Sequence, residues 1–247
     1  MSDSNASHTH LNLLHPVDSD IWYYDGPAVS FYGMPYTTRM TIIRLNDNTL
    51  WIHSPCQLSD ELQKEVNALG EVAFLIAPNK IHYLFIQQWI SQYGNARSFA
   101  APGLIDKCPN IAFDEELTDK PVDAWNDQIK QLIFTGSPFM EEAVFFHQTS
   151  STLILTDLIE NFPDTHFKPW QNHIAKLVGI LAPNGQTPAD WRISFIFGKD
   201  KARLCFKQIQ SWQPSRIIIA HGECIWHDAP AFLARSFRWL IPISIRS

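Results

Sequence analysis

The chain has 247 residues, 45% hydrophobic and 13% aromatic against 18% charged, with a formal net charge of −6. That composition belongs to a packed globular protein and excludes the disordered and fibrous classes. The acidic balance, with no Lys/Arg stripe to neutralise phosphates, argues against a nucleic-acid partner.

No apolar run approaches the ~20 residues of a membrane span, and Met1 to His10 lacks the basic and apolar regions of a secretory signal. A cytoplasmic protein with a small-molecule partner and no membrane contact is therefore expected. Cys56, Cys108, Cys205 and Cys224 show no CxxC pairing and read as free thiols.

Residues 1–15 are polar and predict a flexible tail, with His8-x-His10 a tail feature, ahead of a single domain over 16–247. Ile21–Tyr24 and Ala28–Tyr32 are short β-type runs, and the Asp25-Gly26-Pro27 turn signal between them predicts an opening hairpin. Thr38–Leu45 alternates apolar and polar residues, Asn46-Asp-Asn48 turns the chain, and Thr49–Ile52 resumes the β pattern before His53. Ser59 to Leu69 reads as a helix: Ser59 caps it, Leu62, Val66 and Leu69 share a face, and Gly70 ends it.

The strand Val72–Ile76 follows, so His53 and Asn79/His82 stand at the carboxyl ends of two strands joined by a right-handed crossover. His82 to Tyr93 has helical periodicity, which would put His82 on a first helical turn. Ala96–Ala100 is a short strand, 106–127 is acidic and loop-rich, and Ile129–Thr135 is a strand. Glu142–His147 and Thr152–Asp157 flank the Gln148–Ser151 turn as a hairpin whose second strand delivers Asp157. An apolar helix is expected around Ile174–Leu181 and an amphipathic helical region from Asp190 to Gln210. The strand Arg216–Ala220 then delivers His221-Gly222, and Ala229–Leu240 is a closing helix.

This order of elements, with five strand-end motifs, resembles the metallo-β-lactamase-fold superfamily over roughly Thr38 to the C-terminus, and most closely a divergent branch of unknown function. The resemblance implies an α/β (α+β) four-layer αββα sandwich. The superfamily's Asp-x-Gly strand end is similar to Ile52-His-Ser-Pro55, with His53 in the aspartate position. Its Thr-His-x-His-x-Asp-His motif is similar to Ile76-Ala-Pro-Asn-Lys-Ile-His82, where only the last histidine is kept. Gly136-Ser137 stands for its Gly-His turn. Leu153–Asp157 keeps the bridging aspartate, and Ile218-Ile-Ala-His-Gly222 keeps the last histidine.

The resemblance thus implies that one of the two metals has lost its histidines, whereas His82, Asp157 and His221 of the other ligand set remain. Two imidazoles and a carboxylate suit one Zn or Fe ion at most, with open positions where water is activated. His53 and Asn79 are the candidates to assist it, His53 as a hydrogen-bonded orienting residue and Asn79 as an amide toward a metal or oxyanion. Two readings follow. One is a metal-dependent hydrolase of a small ester- or lactone-like substrate; the other is a metal-free relic of the fold that binds a ligand or a protein. A metal-free acid/base enzyme using His82 and Asp157 is a third.

His147 lies by the hairpin turn and reads as structural. Cys224-x-x-His227 stands alone and reads as a helix start. The aromatics Trp22, Tyr23, Tyr24 and Tyr36 read as core before pocket.

Overall fold

The structure, a computed structural model, describes residues 13–241 apart from residues 32 and 140. The His8-x-His10 feature and most of the expected polar tail lie outside the described residues. The elements run β1 (His15–Asp18), β2 (Ile21–Phe31), β3 (Met34–Arg44), β4 (Thr49–His53), α1 (Asp60–Leu69), β5 (Glu71–Ala77), α2 (Ile86–Gln92), β6 (Arg97–Ala100), α3 (Leu104–Lys107) and β7 (Glu115–Glu116). There follow β8 (Ile129–Phe134), β9 (Glu142–His147), β10 (Thr152–Leu155), α4 (Pro169–Val178), α5 (Ala189–Ser194), α6 (Lys199–Ser211), β11 (Arg216–Ile219), α7 (Ala229–Ser236) and a 3₁₀ turn at Arg238–Leu240.

Two sheets result, a seven-stranded one in sequential order β1 to β7 and a four-stranded one in the order β11-β10-β9-β8. Alternation along each inner strand explains why the sheets stack. In β4, Leu50 and Ile52 face the cluster beneath α1 and α2, whereas Trp51 faces the other sheet. Phe74 and Ile76 of β5, Ile154 of β10 and Ile218 of β11 fill the same inter-sheet core, while Leu153, Leu155, Ile217 and Ile219 pack outward against α6 and α7. Strands covered on both faces read as near-continuous apolar runs, because alternate side chains are buried on opposite sides. The outcome is the four-layer αββα sandwich.

The βαβ unit forms as its sequence suggests. Ser59 Oγ accepts the Leu62 N–H at 3.2 Å to cap α1, and β4 pairs parallel with β5. Asp60 and Glu61 in the first turn suit the positive end of the helix.

Four expectations need correction. The segment Ile21–Phe31 is one strand paired with β3, and Asp25-Gly26-Pro27 is an irregularity in its register. Pairing outweighs the local turn signal: Arg39 Nε donates to Asp25 Oδ1 at 2.7 Å, and a Cβ at Gly26 would lie 2.5 Å from Thr38 Oγ1, so only glycine lets the strands close there. The hairpin reverses at Gly33, whose φ of 75° suits a turn.

The second correction is that α2 starts at Ile86, with 80–85 in turns, so His82 precedes the helix. Asn79 Oδ1 accepts the N–H groups of Ile81 and His82, both at 2.8 Å, and so offers this stretch an alternative to helical bonding. Third, α4 turns Ile174 and Leu177 to solvent, 42% and 82% exposed, and buries Gln171 and Ala175 instead. Fourth, the expected amphipathic region from Asp190 to Gln210 divides into α5 and α6.

Candidate metal centre

The carboxyl ends of β5, β10 and β11 meet at one rim, and each delivers one polar side chain there. His82 follows β5, Asp157 follows β10 and His221 follows β11. The parallel pairing of β10 with β11 puts Asp157 and His221 side by side. His221 Nε2 is 3.0 Å from Asp157 Oδ1, His82 Nε2 is 3.3 Å from Asp157 Oδ2, and the two Nε2 atoms are 3.1 Å apart. One ligand atom from each of the three residues lies within 4.8 Å of the others.

The backbone behind each histidine sets what its ring can do. His221 Nδ1 is 2.8 Å from the Thr37 carbonyl oxygen. A carbonyl only accepts, so Nδ1 carries the hydrogen and the neutral ring turns a lone pair on Nε2 toward Asp157. His82 Nδ1 meets Ser54 Oγ at 2.7 Å, and a hydroxyl can give or take a proton. With Nδ1–H given to Ser54, His82 Nε2 turns a lone pair toward the cluster; with the Ser54 hydroxyl donating, Nε2–H faces Asp157 or His221. With both rings neutral, the 3.0 Å contact between His221 Nε2 and Asp157 Oδ1 holds two acceptors and no hydrogen. A positive charge between or upon them resolves it. This donor set, converging lone pairs and one carboxylate, fits a divalent ion.

Electrostatics agree with the geometry. Burial works against an ionised Asp157, but the two histidines outweigh it and hold the carboxyl well below the usual range. Burial likewise opposes a charged His82, and the Asp157 carboxylate, followed by Glu142, reverses the balance and raises its pKa.

Asn79 is committed at both ends of its amide. Nδ2 donates to Asp157 Oδ2 at 2.6 Å and to Thr156 Oγ1 at 2.9 Å, and Oδ1 holds the His82 turn. It positions two of the three cluster residues and has no group left for an oxyanion. His53 is elsewhere. Along β4 it falls on the Trp51 side, between the sheets, stacked on the Trp51 ring at 5.5 Å and edge-on to Phe145 at 5.5 Å. Its Nε2 has no partner, and burial, with a smaller push from His82, lowers its pKa to about 3. The neighbouring Ser54, with φ at 52°, is the residue that reaches His82. His147 is buried at the hairpin turn with Nδ1 2.8 Å from Ser150 Oγ, away from the rim.

Two buried acids were missed by sequence reasoning. Glu142 Oε1 accepts the Thr156 N–H at 2.8 Å, and Oε2 accepts those of Asp157 at 2.8 Å and Leu158 at 3.2 Å, so it clamps the turn that carries Asp157. Burial and then the Asp157 charge raise its pKa, against the pull of those N–H donors. Glu160 accepts the Tyr36 hydroxyl at 3.1 Å, and burial pushes its carboxyl up to about 8. Glu160 and Tyr36 line a cavity of about 300 Å³ together with the three clustered residues. No sequence signal separates these acids from the many surface carboxylates; a Glu opening a strand and a Glu after a strand-end Asp are both ordinary.

A family model described as Domain of unknown function (DUF4336) matches residues 18–190. The chain belongs to this family. The matched span holds His53, Asn79, His82 and Asp157 and ends before His221. Among solved structures, a metallo-beta-lactamase from Hirschia baltica is 11% identical over 93% of this chain and 97% of its own, with a TM-score of 0.60. The metallo-beta-lactamase FIM-1 from Pseudomonas aeruginosa in the mono-zinc form is 6% identical over 92% and 93%, with a TM-score of 0.62. The metal-soaked Flv1 flavodiiron core from Synechocystis sp. PCC6803 is 10% identical over 92% of this chain and 60% of its own, with a TM-score of 0.63. At these identities the likeness is one of fold: the chain has the metallo-β-lactamase fold. A comparison with curated proteins finds no match. Among the described residues, no helix is long and apolar enough to cross a membrane.

Proposed function

We propose that the protein is a metal-dependent hydrolase of a small ester- or lactone-like substrate, with one Zn or Fe ion held by His82, Asp157 and His221. The observation that carries this reading is the convergence of His82, Asp157 and His221 at one rim, each offering a ligand atom within 4.8 Å of the others, a donor set that suits a cation. Such an ion supplies Lewis acidity, lowering the pKa of a water and polarising a carbonyl.

The chain's own residues do the rest. Thr37 O holds the His221 tautomer, Ser54 Oγ anchors the His82 ring at Nδ1, and Asn79 and Glu142 fix the carboxylate. These are positioning roles, and outer partners of this kind are commonly needed for tight ion binding. Glu160, protonated through neutral pH, is a proton donor on the cavity wall for a departing alkoxide, and Tyr36 keeps one of its oxygens oriented.

The competing reading, a metal-free relic serving as a ligand-binding or protein-interaction module, draws its support from Ala77, Asn79 and Ser137 at the positions of the other metal's histidines. Elemental analysis of protein purified anaerobically, with Asp157→Ala beside it, separates the two. The hydrolase reading expects close to one Zn, Fe or Mn per wild-type chain, lost in the variant, and turnover of simple esters or lactones. Wild type without metal after reconstitution sinks it.

A further inference from the structure

The cavity over the cluster is polar at its floor and charged at its mouth, with apolar walls between. The floor carries Asp157 and Glu160; the walls include Val29, Phe31, Ile81, Leu84 and Trp191; Lys80 and Lys107 stand on the same lining. Both lysines are without an ion-pair partner among the described residues, in a chain of net charge −6. They are also held. Lys107 Nζ donates to the Lys80 carbonyl and lies 5.0 Å from the centre of the Tyr83 ring. A Cβ at Gly103 would come 2.7 Å from Lys80 Nζ, so the glycine leaves the space in which that ammonium sits. Lys80 is two residues before His82, on the turn that Asn79 pins.

Two ammonium groups without an ion-pair partner on one side of a pocket favour a bound anion. The Asp157 carboxylate at the floor repels the same anion. We infer, building on the hydrolase reading, that the substrate carries an oxyanion, carboxylate or phosphate, a few carbons from its scissile ester, with an apolar segment between. The oxyanion rests on Lys80 and Lys107, and the ester lies over His82, Asp157 and His221. Neutral esters of equal length lack the outer anchor.

The test compares the mono-4-nitrophenyl ester of adipic acid with 4-nitrophenyl hexanoate, equal in chain length and different in terminal charge. Metal-loaded wild type is expected to prefer the adipate ester by about tenfold in kcat/KM, mostly through KM, since one tenfold step is the scale of a well-placed charge pair. In the Lys80→Met/Lys107→Met double variant that preference falls to parity, and in Lys80→Arg it persists. Calorimetry on metal-free protein gives a reading independent of turnover: hexanoate and hexyl phosphate bind more tightly than hexanol, the stronger of the two names the oxyanion, and the double variant erases the difference. Thermal unfolding of each variant checks the fold.

Parity between the two esters in wild type, or a preference that survives the double variant, overturns the inference and leaves the hydrolase standing. Lysine-dependent binding of hexanoate or hexyl phosphate with no turnover of either ester overturns the hydrolase and leaves the anion site standing.

Discussion

Replacing Glu142 with Gln tests whether a carboxylate holds the turn that bears Asp157. The two oxygens of Glu142 face hydrogen-bond donors: the Thr156 N–H on Oε1, then Asp157, Leu158 and, at 3.4 Å, Asn79 Nδ2 on Oε2, with the Thr156 side chain beside them. A glutamine keeps one acceptor and turns an NH₂ group toward the remaining donors. If the amide nitrogen replaces Oε2, the Asp157 and Leu158 N–H groups lose their partner while fully buried, at about 1–3 kcal/mol each. Relief of the repulsion between the Glu142 and Asp157 charges offsets part of this. The net loss is about 3 kcal/mol, a large share of the ~5–15 kcal/mol that holds a domain folded. Urea unfolding followed by tryptophan fluorescence reads it as a lower midpoint at an unchanged slope. A competition titration against a zinc chelator reads the second effect, a 10- to 100-fold weaker ion as the Asp157 turn loosens, on the scale of outer-partner losses elsewhere. An unchanged midpoint together with unchanged zinc affinity refutes the reasoning. It would mean that Glu142 carries a proton in the native protein, which its amide copy replaces without loss.

Four further outcomes follow from the same geometry. Asp157→Asn removes the carboxylate charge and keeps the shape, and loses stoichiometric metal; an unaltered metal content contradicts the ligand set. Glu160 has its pKa raised from 4.5 to about 8, so the native state binds more protons than the unfolded chain between those values. Stability therefore falls as pH rises from about 5 to about 8, by on the order of 2–5 kcal/mol in metal-free protein, and Glu160→Gln flattens that slope in a pH series of urea melts. His53→Phe replaces an imidazole with an unpartnered nitrogen by a ring of similar size, so stability stays within about 1.5 kcal/mol and metal content is unchanged; loss of metal would return His53 to the site. Arg39 Nη1 donates to Ile219 O at 2.5 Å and Gly222 O at 2.8 Å, bracketing His221, so Arg39→Met lowers stability by about 3 kcal/mol and weakens zinc; equal zinc affinity removes it as a positioning residue.

The reach of the sequence was set by how local each determinant is. The βαβ unit and the strand ends at Asp157 and His221 follow from caps, period-two alternation and parallel pairing, all within a few residues, and they were legible. Asp25-Gly26-Pro27 carries a turn signal that β3 overrides across the sheet, and pairing energy is invisible in a local window. His82 lost its helical place to the Asn79 side chain, a competition that periodicity does not weigh. Ile174 and Leu177 have core-like hydropathy, yet Gln171 takes the inner face of α4 because its amide donates to the Gly33 carbonyl at 3.2 Å. Glu142, Glu160, Ser54 and Thr37 act through partners as many as 184 residues away in sequence, as with Thr37 and His221. Only the folded chain can assign such roles.

The rim draws on both halves of the sandwich. His82 stands on a loop of the seven-stranded sheet, whereas Asp157 and His221 close the four-stranded one, and the two histidines are 139 residues apart in the chain. A cation held by all three would therefore tie the two sheets together at this rim, beside the backbone bond from the Ala143 N–H to the Pro78 carbonyl at 2.7 Å. Its grip depends on concentration: at a free-metal level 100 times the dissociation constant it adds about 2.7 kcal/mol to the folded state. Without the ion that contribution is absent, and the same edge keeps the Asn79–Asp157 hydrogen bond at 2.6 Å and the Ala143–Pro78 backbone bond.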